Sequence, residues 1–309
     1  MNRQEWLAKR RQGIGGSDIA AIVGESPWGT PLSVFMDKIG LSEEKAETPE
    51  QKRGRILEGY VANMYQEETG KNVYPGKFLT GDNPLILGTP DRFVGSEKGL
   101  EIKTSRNDKG WGEAGTDQVP LYYSLQSHWY LVLCPDFNEW DLAALLGIDD
   151  FRIYTIKRDV ELEGLLVQEA EKFWKDHVLT GIPPDLTKAS PYQVKNYLKA
   201  KYQNHGSEVL PMESEALEYL LKLEEWQKIS DNAEMHLETF KNYLKVIIGD
   251  HAGIEGDGFK ATWKQTKPSE KTDWEAIARE LKASDELIKD FTKKKPGPRK
   301  FLWSHKEEK

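Results

Sequence analysis

The stretch NPLILGTPDRFVGSEKGLEIKTS, residues 83–105, decides how this chain is read. Apolar residues alternate on either side of GSEKG and glycines bound the reversal, which is the pattern of two antiparallel strands joined by a turn. Side chains alternate faces along a strand, so Glu101 and Lys103 share one face while Leu100 and Ile102 take the apolar one. With GSEKG as the turn, Val94 falls opposite Leu100, Phe93 opposite Glu101 and Asp91 opposite Lys103. Asp91 and Glu101 are then diagonal neighbours with Cα atoms roughly 7–8 Å apart, a separation that two carboxylates close by converging on one cation.

Two carboxylates with a lysine beside them form a hard-cation site. Oxygen-ligated Mg²⁺ in such a site suits phosphodiester hydrolysis, because it stabilises charge on the transferring phosphoryl group and lowers the pKa of an attacking water. A further carboxylate is expected from the helix GRILEGYVANMY, where Glu58 shares a face with Arg55 and Ala62. An ion pair with Arg55 on the helix surface is the simpler account of the same residue.

Working outward, residues 5–12 read as a short helix broken by GIGGS (13–17), after which DIAAIVG (18–24) restarts with Ser17 as its expected N-cap. Helices are expected over 32–40, 51–69 and 120–134, the last a run of aromatic and apolar residues, PLYYSLQSHWYLVLC. A strand over 151–159 leads into a helix over 160–178, and TGIPPDLT (180–187) marks a boundary between a domain of residues 1–188 and an accessory region, 189–309. Beyond it, 214–249 reads as one long amphipathic helix or a helical pair, 256–267 as a strand, 272–282 as a helix, and 291–304 as a basic turn ending in a short strand.

Composition narrows the chemistry further. The 309 residues include one cysteine, Cys134, which removes disulfide frameworks, cysteine-rich zinc sites and cysteine-ligated clusters together. The six histidines are dispersed without ligand spacing. No apolar run approaches membrane-spanning length and the N-terminal residues offer no signal peptide, so a cytoplasmic protein without a membrane partner is expected. The net charge of −8 arises within residues 1–190, since 191–309 carry equal numbers of acidic and basic side chains. Against that background stand two basic clusters, Lys9, Arg10 and Arg11, and Lys293, Lys294, Lys295, Arg299 and Lys300, the second open to reading as solvated surface or as a phosphate track. Trp28 and Trp111, both beside glycines, are the tryptophans singled out for contact with DNA bases.

The order Glu58, Pro90-Asp91, Glu101-Ile102-Lys103 and Gln126 resembles the PD-(D/E)xK nuclease superfamily, and RRQGIGGSDIAAIVGESPW (10–28) resembles its lambda-exonuclease branch, the YqaJ-like viral recombinases. The resemblance spans roughly residues 5–180. It implies a restriction-endonuclease-like α/β core, a mixed central sheet flanked by helices, here followed by a mainly helical C-terminal extension. It also implies that Asp91, Glu101 and the Ile102 carbonyl hold Mg²⁺, or Mn²⁺ in its place, that Glu58 completes the metal environment, that Lys103 positions or activates water, and that Gln126 belongs to the catalytic set. Arg10 or Arg11, with Ser17, takes the role of the 5′-phosphate contact, and a hydroxyl and guanidinium beside a helix start make a competent anion site.

The activity so implied is 5′-to-3′ digestion of one strand of duplex DNA, leaving 3′ single-stranded tails for recombination in the bacterial host of a phage or prophage. A homo-oligomeric ring such as a trimer, and a RecT-type single-strand annealing partner, are implied with it. Two other activities fit the same residues: a structure-specific or restriction-like endonuclease, and a non-catalytic DNA-end-binding scaffold.

Overall fold

A computed structural model describes residues 2–42, 46–265 and 272–292. In chain order its elements are α1 (Arg3–Arg10), α2 (Gly16–Ile22), α3 (Pro31–Lys38), α4 (Pro49–Thr69), β1 (Val73–Pro75), β2 (Leu79–Thr80), β3 (Leu87–Gly88), β4 (Arg92–Val94), β5 (Lys98–Ser105), α5 (Leu121–Leu133), β6 (Glu139–Leu146), β7 (Asp150–Lys157), α6 (Val160–Phe173) and α7 (Pro191–Lys201). A π-helical turn, Trp174–Val178, extends α6 to the end expected from the sequence. These elements form one compact unit, Met1–Gln203; the other, Asn204–Lys309, begins beyond the expected boundary at 188/189. The difference comes from α7, whose Tyr197 is buried against Phe35 of α3 with ring centroids 6.0 Å apart.

The sheet runs in the order β1-β4-β5-β6-β7, antiparallel except for the parallel β5–β6 pair. Helix α4 covers one face, where Val61, Ala62 and Tyr65 pack on Val94, Leu100, Ile102, Ala143 and Leu145. Helix α5 packs on the sheet through its other side, burying Trp129, Tyr130, Leu131 and Leu133 with Trp140. Fully burying each such side chain contributes about 1.5–3 kcal/mol. The result is a mixed sheet flanked by helices, the layering that the sequence resemblance implies.

The hairpin differs from expectation by two residues. Val94 pairs with Lys98, Phe93 with Gly99 and Arg92 with Leu100. The turn is the three-residue Gly95–Glu97, with Gly95 in the left-handed region at φ 58°, so GSEKG as a whole does not form it. Gly99 therefore lies in the strand, where a Cβ would stand 2.0 Å from the buried Trp140 ring. A shift of two leaves every side chain on its expected face, whereas a shift of one would have inverted them.

Ser17 is not the cap of α2. The helix starts at Gly16 with Gly15 as N-cap, and Asp18 accepts the Gly15 N–H at 3.0 Å. In α4, Thr48 caps and Pro49 opens the first turn, moving the start ahead of 51.

The second unit holds α8 (Ser214–Ile248), β8 (Gly253–Gly256), β9 (Phe259–Thr262), α9 (Trp274–Glu280) and α10 (Asp285–Phe291). The long helix is continuous. Within the expected strand over 256–267, Phe259–Thr262 forms β9, shortened at its start because Asp257 and Gly258 take positive φ at the turn of a β8–β9 hairpin, while 266–267 lie outside the described residues. Of the expected basic turn and closing strand over 291–304, Phe291 ends α10, and residues 293–304, including Lys293, Lys294, Lys295, Arg299 and Lys300, lie outside the described residues. No helix among the described residues is long and apolar enough to cross a membrane.

Candidate active site

Strand alternation on β5 places Glu101 and Lys103 on the α5 side of the sheet, away from Leu100 and Ile102. Glu101 is buried, and its Oε1 accepts from both Lys103 Nζ and Gln126 Nε2 at 2.6 Å each. Its other oxygen, Oε2, is buried and has no hydrogen-bond partner. Asp91, just ahead of β4, accepts the Ile102 N–H through Oδ2 at 2.8 Å. The two carboxylates, Lys103 and Gln126 therefore come together around one strand.

Burial pushes Asp91 well above the usual carboxylate range, the Glu101 charge adds to this, and Lys103 and the Ile102 N–H oppose it. Burial alone would lower Lys103, but Glu101 and Asp91 outweigh it and raise its pKa, so Lys103 stands as an ammonium. That ammonium also lies 4.8 Å from the centroid of the Tyr123 ring.

Glu58 sits close enough to push Asp91 up further, but its carboxylate is held by Arg92 Nη1 at 2.6 Å. Arg55, the neighbour expected to pair with it, binds Glu47 instead. Among the described residues no group of three His, Cys, Asp or Glu side chains is arranged to hold a metal ion. The unpartnered Glu101 Oε2 and the elevated Asp91 nevertheless make a hard, oxygen-rich pair deficient in positive charge, which fits a divalent cation such as Mg²⁺.

One cavity of about 170 Å³ joins this pair to the N-terminal segment; its lining includes Asp91, Glu101, Gln126, Tyr130, Arg10 and Ser17. The loop before α2 is fixed by hydrogen bonds between Ile14 and the main chain at Leu85 and Leu87. Gly16 permits the close approach of α2 to α5, since a Cβ there would meet the Tyr130 ring at 3.0 Å and Gln126 at 3.2 Å. Arg10 Nη2 reaches the Ser17 hydroxyl at 3.2 Å and Asp18 Oδ1 at 2.7 Å. Arg11 turns away to Asp37, 3.7 Å distant, and does not line the cavity. Of the two arginines, the structure thus places Arg10 at the candidate anion site.

Two residues of this arrangement escape sequence reasoning. Asp18 is buried under Lys38, whose Nζ donates to Asp18 Oδ2 at 2.6 Å and to the Arg10 carbonyl at 3.0 Å. Burial would raise Asp18, but Lys38 and Arg10 outweigh it and hold its pKa down at about 2. An aspartate at the third helical position is a legible capping signal; Lys38, twenty residues on, carries no local signal at all.

Trp28 is 69% exposed and its ring lies 4.7 Å from that of Tyr122. Trp111 is buried with Leu142, Ala144, Leu146 and Tyr154, so the expected base contact there is corrected to a core role.

A family model described as the YqaJ-like viral recombinase domain matches residues 5–134, a span containing Arg10, Ser17, Glu58, Asp91, Glu101, Lys103 and Gln126. The chain is 33% identical over 279 residues to the uncharacterised protein YqaJ of Bacillus subtilis (strain 168), covering 85% of this chain and 84% of that protein. Among solved structures it is similar to an alkaline exonuclease from Laribacter hongkongensis, with 17% identity, a TM-score of 0.47, and coverage of 58% of this chain and 94% of the other. A phage-related exonuclease from Haemophilus somnus 129PT is similar at 16% identity and a TM-score of 0.42, over 55% of this chain and 96% of the other.

Proposed function

Because the chain belongs to the YqaJ-like viral recombinase family, we propose that it is a Mg²⁺-dependent exonuclease that digests duplex DNA from 5′ ends and leaves 3′ single-stranded tails for recombination. The observation that carries this reading is the single cavity that unites the Asp91–Glu101 pair with Arg10 and Ser17. A hydrolytic centre and an anion site share one small space, as an enzyme working from a phosphorylated chain end requires.

In this reading Asp91, Glu101 and the Ile102 carbonyl would hold the cation, with Glu58 near enough to add to the field. Bound there, Mg²⁺ supplies charge stabilisation for the phosphoryl group and a more acidic water; Mn²⁺ serves in its place. Lys103 orients the water and balances charge beside Glu101. Gln126 fixes the Glu101 carboxylate by its 2.6 Å hydrogen bond. Arg10 and Ser17 hold the terminal 5′-phosphate, which sets the polarity. The reading extends to work in the host cytoplasm, as a ring-shaped homo-oligomer such as a trimer, beside a RecT-type annealing protein.

The test is digestion of linear duplex labelled separately at its 5′ and 3′ termini, beside a covalently closed circle, in Mg²⁺ and in EDTA. Early release of the 5′ label, an untouched circle and silence in EDTA are expected. Cleavage of the circle would reassign the centre to a structure-specific or restriction-like endonuclease, and binding without hydrolysis would leave a DNA-end-binding scaffold.

A further inference from the structure

Lys38 is an unusual place for a cation. Its side chain has no exposure and is absent from the cavity lining, so it touches no ligand there. Its ammonium closes a three-way junction: it binds Asp18 Oδ2, it binds the carbonyl of Arg10 at the last residue of α1, and it lies 4.0 Å from Asp37. Asp18 completes the junction, using Oδ1 for the Arg10 guanidinium and Oδ2 for Lys38 and the Gly15 N–H.

The charges make the consequence definite. Arg10 and Asp18 alone would form a neutral pair, and a phosphate arriving at Arg10 would compete with a carboxylate already 2.7 Å away. Asp37, the other acid near Lys38, also faces Arg11 at 3.7 Å, a second pair without net charge. Lys38 supplies the charge that leaves the junction positive overall. Being buried, its field is weakly screened by water compared with that of a surface lysine. By binding the Arg10 carbonyl it also fixes the backbone from which the guanidinium projects.

We infer that Lys38 is a positioning residue that sets the specificity of this pocket for a phosphorylated DNA end, acting through Asp18 and Arg10. This rests on the reading of Arg10 and Ser17 as the end-phosphate contact. Asp18, which accepts the Gly15 N–H at the start of α2, then becomes the relay between the buried cation and the one that meets DNA.

The test compares kcat/KM on duplexes with a 5′-phosphate and with a 5′-hydroxyl, for the full chain with Mg²⁺. A merely structural residue would lower both values alike and leave their ratio unchanged. Lys38→Gln, which keeps a donor on a side chain one atom shorter but removes the charge, is expected to reduce the phosphate-to-hydroxyl ratio roughly tenfold, the size of a charge-assisted hydrogen bond. Lys38→Arg, which keeps the charge, is expected to retain most of the preference. Equal losses on the two ends in Lys38→Gln, alongside a lowered Tm, would overturn the inference, as would an unchanged ratio. Arg10→Ala separates this from the reading beneath it. A wild-type preference that survives Arg10→Ala would remove the phosphate site itself, whereas one lost in Arg10→Ala but kept in Lys38→Gln would remove only the role of Lys38.

Discussion

At the scale of single residues, Glu101 is the pivot, because Lys103 and Gln126 share one of its oxygens while the other stays unpartnered in the interior. Lys103→Ala removes the ammonium that balances the two carboxylates, and is expected to lower hydrolysis by about 10²–10⁴-fold while DNA binding, followed by fluorescence anisotropy in Ca²⁺, stays near wild type. Hydrolysis at the wild-type rate would take Lys103 out of the reaction. Asp18 gives a second, independent expectation. Its carboxyl is held down at about 2, from an ordinary value of 3.8, so the folded state favours the ionised form. The associated stability is fully present above the unfolded value and is lost as pH falls from about 4 through about 2, an effect of about 2 kcal/mol. Urea unfolding at pH 5 and pH 2.5 should show that loss in the wild type and a smaller one in Asp18→Asn.

At the scale of elements, the faces of β5 were legible and its register was not. Alternation follows from the pleat alone, so Glu101 and Lys103 could be separated from Leu100 and Ile102 without knowing the turn. Register depends on how many residues the turn consumes, and here the turn takes three, leaving Gly99 in the strand, where the Trp140 ring occupies the space a side chain would need. Trp140 lies on β6, a strand that a search for alternating apolar residues does not reveal: it is buried on both faces, so residues 142–146 form an unbroken apolar run, LAALL, rather than an alternation. The Arg10–Ser17 proximity was partly legible as a motif, but the choice of Arg10 over Arg11 depends on Asp37 and Lys38 from α3. Gly99→Ala tests the packing account directly. A methyl group driven into the ring should cost about 1–3 kcal/mol or more in urea unfolding, and a neutral result would mean that β5 and β6 separate easily.

At the scale of the whole molecule, the cavity, the carboxylate pair and every side chain that orients them belong to the Met1–Gln203 unit. Helix α7 is part of that unit although it follows the Pro183-Pro184 pair, since Tyr197 is buried against Phe35 and α3 also carries Lys38. A chain ending at Gln203 is therefore expected to unfold cooperatively and to keep metal-dependent release of the 5′ label. Ending the chain at Lys188 instead strips α7 from α3 and uncovers a large aromatic contact, a loss of the order of 3–5 kcal/mol by comparison with deleting a buried aromatic side chain. Thermal unfolding of the two shortened chains, followed by circular dichroism, separates the alternatives. A Tm several degrees lower for the shorter chain places the boundary after α7, with the Arg10 end of the cavity failing first because Lys38 and Arg10 hang on the same helix packing. Equal Tm values would mean that α7 leans on α3 without supporting it, and that the chemistry of Arg10, Asp18 and Lys38 is held by the α1–α3 segment alone.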